Sequence, residues 1–264
     1  MDLQLRNKPA LVSGSTAGIG FAIAQALARE GASVIVNGRS ASRVDAAVHR
    51  IRAEGATGEV LASAADLSSA AGVAALVKQF PAVDILINNL GMYEPKTFEQ
   101  ITDEDWLRIF EVNVLSGIRL SRAYLPGMKQ TNWGRIVFIS SESGVNIPAE
   151  MIHYGVTKTA QLAVSRGLAE TTAGTGVTVN SVLPGPTRSE GVEEFVEAMA
   201  RERKTDAATV EKEFFQSVRP TSLLKRFATP DEVAALVAFV ASPLSAATNG
   251  AALRVDGGVV RSAI

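Results

Sequence analysis

Residues 13–20 read Ser13-Gly14-Ser15-Thr16-Ala17-Gly18-Ile19-Gly20, and this stretch decides the fold. An apolar run, A-L-V-S at 10–13, leads into it, and a helical pattern over 20–30 leads out. Strand, glycine-rich turn and helix in direct succession open a βαβ unit. Glycines at 14, 18 and 20 permit a tight turn, close backbone approach to a pyrophosphate, and close packing of helix on strand. The helix N-terminus adds free N–H groups and a positive dipole end, which suit phosphate oxygens.

Outward from this turn, short β-branched runs alternate with longer helical patterns. Runs at 33–37, 84–88, 135–140 and 177–182 are almost continuously apolar, as parallel strands covered on both faces are. A weaker run lies at 58–62 and a last one at 251–255; helical patterns at 42–54 and 69–79 fall between. Two helix starts carry capping boxes, at Thr102-Asp103-Glu104-Asp105 and at Thr229-Pro230-Asp231-Glu232. This alternation predicts a single α/β domain over residues 1–264: a doubly wound parallel sheet of the Rossmann type in three α/β/α layers. The charge-dense stretch 188–219 follows a strand end late in the series and is expected to form a lid over a site.

Composition narrows the function. The chain of 264 residues is 47% hydrophobic, with mean hydropathy +0.16, which fits a compact fold. Its net charge of −1 and pI of about 6.2 give no basic surface for nucleic acid or an anionic membrane. There is no cysteine, so disulfides and thiolate catalysis are excluded. His49 and His153 are the only histidines, and no ligand spacing suggests a metal site. No signal peptide opens the sequence, and no stretch approaches the roughly 20 apolar residues of a membrane span. A soluble cytoplasmic protein is expected.

The end of the second strand speaks to cofactor choice. In dinucleotide folds an acidic residue there holds the adenosine ribose hydroxyls and repels a 2′-phosphate. Here Asn37-Gly38-Arg39-Ser40 offers a guanidinium and a hydroxyl and no carboxylate. A guanidinium fork suits a phosphate dianion, so Arg39 and Ser40 predict NADP(H) over NAD(H).

The spacing G-x-x-x-G-x-G resembles the T-G-x-x-x-G-[IL]-G turn of the short-chain dehydrogenase/reductase family, with Ser13 in place of threonine. The resemblance implies that Gly14, Ser15, Thr16, Gly18, Ile19 and Gly20 contact the cofactor. Asp66-Leu67 matches the family's adenine-contacting pair, and Asn88-Asn89-Leu90-Gly91 matches its N-N-A-G, with Asn89 and Gly91 behind the cofactor. Leu90 replaces a small residue; it either crowds the nicotinamide ribose or is absorbed by a neighbouring change. Pro184, Gly185 and Thr187 match the P-G-x-T segment that faces the nicotinamide carboxamide and diphosphate. The closing V-D-G-G at 255–258 is similar to the family's C-terminal turn, so the resemblance spans the chain.

A nicotinamide cofactor needs an acid for the alkoxide that hydride transfer creates. Tyr154 and Lys158, in Y-G-V-T-K, are four residues apart and share one helix face. A free phenol titrates near 10, and a neighbouring ammonium favours the phenolate. The family resemblance makes Tyr154 the acid/base and Lys158 its tuning residue and ribose ligand. Ser141, thirteen residues earlier, becomes the donor to the substrate oxygen, with Ser140 and Ser143 as rivals. Asn113 becomes the fourth member, its main-chain carbonyl holding the water of a proton relay. Met92, Tyr93, Glu142 and His153 are expected near the substrate, together with Ile147 and the 188–219 stretch.

These expectations describe an oxidoreductase that moves hydride between NADP(H) and a ketone or aldehyde and its alcohol. Two other readings stay open: an NAD-linked alcohol or sugar dehydrogenase of the same fold, and an NADP(H)-sensing protein without turnover. The family resemblance also implies a homotetramer.

Overall fold

The computed structural model describes residues 2–263, to which all structural statements below refer. Seven parallel strands form one sheet. In chain order they are β1 (Pro9–Val12), β2 (Ser33–Gly38), β3 (Val60–Ala64), β4 (Ile85–Asn88), β5 (Gly134–Ile139), β6 (Val177–Pro184) and β7 (Ala252–Val255). Across the sheet the order is β3-β2-β1-β4-β5-β6-β7. The chain therefore reverses its direction of growth between β1 and β4, where a crevice opens beyond the carboxyl ends of both strands.

The helices are α1 (Gly18–Arg29), α2 (Ala41–Ala53), α3 (Ala70–Gln79), α4 (Asp103–Phe110), α5 (Ser116–Gln130), α6 (Ile152–Glu170), α7 (Glu190–Arg203), α8 (Ala207–Ser217) and α9 (Pro230–Val240). Strand periodicity of two explains how they are sorted. Ala10, Val12, Val34, Val36, Ile85 and Ile87 point to one face, against α1, α2 and α9. Leu11, Ile35, Leu86, Ile136 and Phe138 point to the other, against α3, α5 and α6. Each fully buried aliphatic side chain here contributes about 1.5–3 kcal/mol. The expected single domain with a doubly wound parallel sheet in three layers is what folds.

Two details differ from the sequence reading. The third strand begins at Val60, not at 58, because a Cβ at Gly58 would lie 2.0 Å from the Ala32 carbonyl oxygen; Gly58 belongs to the turn packed on the end of α1. The two edge strands, β3 and β7, are partly exposed, β7 the more so, while the five between them are almost wholly buried. Both capping boxes form, on α4 and α9. Helices α7 and α8 hold a small core of their own, with Val196, Val210, Phe215 and Phe227 buried together.

Between α4 and α5 the helix widens into a π turn, Glu111–Leu115, with Asn113 at its centre. Backbone bonds there reach one residue further than in an α-helix, an arrangement frequent at functional sites.

Candidate active site

The turn after β1 is held from below by buried polar groups. The Ser13 hydroxyl donates to the Ile87 carbonyl at 3.2 Å and accepts from the Asn89 and Leu90 N–H groups at 2.9 and 3.0 Å. The hydroxyl that serine keeps at this position thus bonds across the crevice to the β4 loop. Asn89 Nδ2 donates to the carbonyls of Ser13 and Gly14, both at 3.0 Å, tying the β4 loop to the β1 loop across the crevice. Gly20 has no alternative: a Cβ would lie 2.4 Å from both Asn89 Nδ2 and the Gly14 oxygen.

Ser15 departs from its expected part. Its N–H is given to the Asn37 carbonyl at 2.8 Å and its hydroxyl to the Val12 carbonyl at 2.7 Å. Neither donor remains for a phosphate, so Ser15 supports the turn instead of lining it. Asn37, which the sequence reading passed over, is the turn's second anchor. It accepts from the Gly14 N–H and donates to the Ser63 and Ala65 carbonyls. A buried asparagine closing an otherwise apolar strand is the trace it leaves in the sequence.

Gly14, Ala17, Gly18, Ile19, Gly20, Asn89, Leu90 and Gly91 line a cleft of about 300 Å³, joined from the other side by Ser189, Glu190 and Gly191. Helix α1 opens into it without a side-chain cap on Ala17, which leaves first-turn N–H groups for an anion. Leu90 packs partly against the α3/α5 core and borders Gly14 in the cleft wall. Arg39 stands exposed beyond β2 with no ion pair or hydrogen bond, and the Ser40 hydroxyl meets only Ser42, at 2.9 Å. Asp66 directs one carboxylate oxygen at Ser68, and Leu67 is core. Gly185 lies against the Asp256 backbone and accepts the Thr187 hydroxyl at 2.9 Å, in continuation of Pro184.

Beyond the cleft, β5, the π turn and α6 bring together Asn113, Ser141, Tyr154 and Lys158. Helix α6 sits close because Gly144 has no side chain; a Cβ there would lie 2.9 Å from the Lys158 carbonyl carbon. Of the three serines, Ser140 gives its hydroxyl to the Lys158 carbonyl at 2.8 Å. Ser141 accepts from the Ser143 N–H at 3.1 Å and is the one whose hydroxyl interacts with the Tyr154 phenol. Burial pushes that phenol up to about 12, with the Ser141 hydrogen bond opposing the shift. Burial pushes the Lys158 ammonium down to about 7; its Nζ lies 5.5 Å from the Tyr154 ring centroid.

Asn113 clamps the loop after β4. Its Oδ1 accepts from Met92 N–H at 2.8 Å, and its Nδ2 donates to the Met92 carbonyl at 2.9 Å and to Thr157 at 3.0 Å. Its main-chain carbonyl accepts from the side-chain amide of Gln161 at 2.6 Å.

The expected substrate-side residues divide. Tyr93 lies edge-on to Tyr154, ring centroids 6.3 Å apart, and is half exposed. Met92 is adjacent through its backbone clamp. His153 turns the other way, packing edge-on to Trp106 of α4 at 5.9 Å, and burial lowers its pKa. Glu142 is buried and pairs with Arg219 at 2.9 Å; burial raises its pKa against the pull of that guanidinium. Its other oxygen, Oε2, is buried without a partner. Arg219 also reaches Glu150 at 3.2 Å, so the end of the α7–α8 excursion is fastened to the loop bearing Ser141. Nothing in the spacing of Arg219, 77 residues from Glu142, points to this pairing.

Residues 14–260 match the family model described as enoyl-(acyl carrier protein) reductase. The uncharacterized oxidoreductase YvaG of Bacillus subtilis strain 168 is 47% identical over 262 residues, with 99% of each chain covered. L-sorbose reductase of Gluconobacter frateurii, solved with NADPH and L-sorbose, superposes with a TM-score of 0.92 at 31% identity, over 99% of this chain and 100% of that one. A 7α-hydroxysteroid dehydrogenase solved with NADH and 7-oxo glycochenodeoxycholic acid superposes with a TM-score of 0.85 at 29% identity, over 99% of this chain and 97% of that one. With the family model matched over nearly its whole length, this chain belongs to the short-chain dehydrogenase/reductase family of oxidoreductases.

Proposed function

We propose that this protein transfers hydride between NADP(H) and a small ketone or aldehyde and its alcohol, with Tyr154 as the acid/base. The observation that carries the proposal is the convergence of Ser141, Tyr154 and Lys158 beside a cleft that opens on the uncapped start of α1. The residues present fit a dinucleotide. Gly14, Gly18 and Gly20 leave room for a diphosphate, and unpaired Arg39 suits a 2′-phosphate. A Cβ on Gly91 would come within 3.5 Å of both Lys158 Nζ and Asn113 Oδ1, a cradle for a ribose. Thr187, Gly185 and Pro184 border its nicotinamide end.

The bound cofactor supplies or accepts the hydride at the substrate carbon. Everything else belongs to the chain. The Ser141 hydroxyl, fixed from behind by the Ser143 N–H, donates to the carbonyl oxygen. Tyr154 donates to the same oxygen and gives up its proton as alkoxide charge develops. The Lys158 charge stabilises the phenolate that remains, and Asn113 fixes Met92 beside the reacting groups. Glu142, bound to Arg219, holds residues 188–219 over the site as a lid. Supporting this, Ser189 and Gly191 at the start of α7 border the cofactor cleft. The cysteine-free chain suits the reducing cytoplasm, and the apolar groove between α5 and α6 suits a homotetramer.

The test is NADPH consumption across a panel of small ketones and aldehydes, with Tyr154→Phe alongside. Loss of the general acid is expected to lower turnover by about 10²–10⁴-fold. Reduction needs the protonated phenol and the charged lysine. Its rate is therefore expected to fall first as pH rises through about 7, where Lys158 loses its charge, and again through the phenol's raised value. Oxidation needs the phenolate and rises over that upper range. Undiminished turnover in Tyr154→Phe would sink the mechanism.

A further inference from the structure

The amide of Gln161 sits between two groups that demand opposite ends of it. Lys158 Nζ can only donate, and it donates to Gln161 Oε1 at 3.2 Å and to the Ile139 carbonyl at 2.9 Å. The Asn113 carbonyl can only accept, and it accepts from Gln161 Nε2 at 2.6 Å. The orientation of the amide is therefore forced by its partners. All three residues are buried: Gln161 and Asn113 are each 1% exposed and Lys158 is 4% exposed. Gln161 stands three residues after Lys158 on α6, so the two side chains share a helix face, while Asn113 comes from the π turn 48 residues earlier.

We propose that Gln161 is a positioning residue: its amide holds the Lys158 ammonium in place and ties it to the Asn113 carbonyl of the π turn. The reasoning is one of satisfiability. A buried ammonium has three protons to place, and a buried carbonyl left unpaired is costly. Here one side chain meets both needs, its oxygen toward Lys158 and its N–H toward Asn113. The Asn113 carbonyl is therefore the end of an anchoring chain that runs through Gln161 to Lys158.

Few charged groups compete for Lys158. Tyr154 on its own helix faces it. From β5 comes the Ile139 carbonyl, from the π turn Asn113 and from the β4 loop Gly91; no carboxylate among the described residues lies in ion-pair reach of Nζ. Gln161 Oε1 is thus one of two acceptors that favour the charged lysine against its burial. The relevance of this to turnover rests on the function proposed above, but the anchoring itself does not.

The experiment uses cofactor-free protein with isotope-labelled lysine, following the Lys158 Nζ resonance by NMR as pH is varied, assigned with Lys158→Arg. In Gln161→Leu the titration midpoint is expected to fall by about 1–2 pH units, the effect of losing one acceptor on a charged donor. In Gln161→Glu, which keeps an oxygen toward Nζ and adds a negative charge, it is expected to rise above the wild-type value. If either variant folds with the wild-type midpoint, Gln161 does not hold Lys158 and the proposal is overturned. If the midpoints move as stated while the wild-type protein reduces no carbonyl with NADPH, the anchoring stands and the proposed function falls.

Discussion

Arg39 is the residue on which cofactor preference turns. It is exposed and unpaired, so its guanidinium is free for a ligand and costs no internal contact when removed. Gly38 beside it leaves no room for the carboxylate of an NAD-selective site, since a Cβ there would lie 2.6 Å from Thr16 Cγ2. Arg39→Ala is expected to lower kcat/KM with NADPH by about 10–100-fold, the worth of a charge-assisted contact, and to leave kcat/KM with NADH nearly unchanged. Steady-state kinetics with both cofactors checks this; a wild-type preference for NADH would refute it. Single residues were legible where a motif fixes them, as at Tyr154 and Lys158. They were not legible where partners decide: Ser15 faces inward only because Asn37, from another strand, accepts its N–H. Ser141 stands apart from Ser140 only because the Lys158 carbonyl takes Ser140's hydroxyl.

At the scale of elements, α5 and α6 present Ile118, Leu125, Pro126, Val164 and Leu168 along a shared apolar groove. On helices whose other faces are already packed on the sheet, such a stripe is where the proposed homotetramer would seat another copy. If the homotetramer proposed above forms, Leu168→Glu places a charge in that groove and is expected to yield smaller species on gel filtration with light scattering. A wild-type monomer would count against the assembly. The strands were read from the sequence nearly in full, because a parallel strand buried on both faces leaves a short β-branched apolar run bounded by turn residues. The third strand slipped by two residues for a reason invisible locally, the contact of Gly58 with the end of α1. The edge strands β3 and β7 share the apolar letters of the others but not their burial, which depends on where the sheet stops.

For the molecule as a whole, the order β3-β2-β1-β4-β5-β6-β7 puts the phosphate turn, the β4 loop, Ser141 and the β6 end along one edge of the sheet. Strand–helix alternation was enough to foresee that edge. The long-range pairs that finish the site, Glu142 with Arg219 and Asn113 with Gln161, have no sequence pattern, because each joins segments that meet only after the sheet has formed. The π turn at Glu111–Leu115 carries a consequence for chain length. It holds one residue more than a regular helix needs, and an α-helix advances about 100° per residue. Deleting one residue there would restore the ordinary ladder while swinging Asn113 away from Met92, Thr157 and Gln161. Calorimetry on such a deletion is expected to record a lower melting temperature, since the Asn113 partners lose their bonds and the flanking helix turns its core face away. Assays are expected to record a loss of turnover; a deletion variant that stays as stable and as active as wild type would refute this. The extra residue is thus a requirement of packing as well as of the site, and the length of this helix is not free to drift.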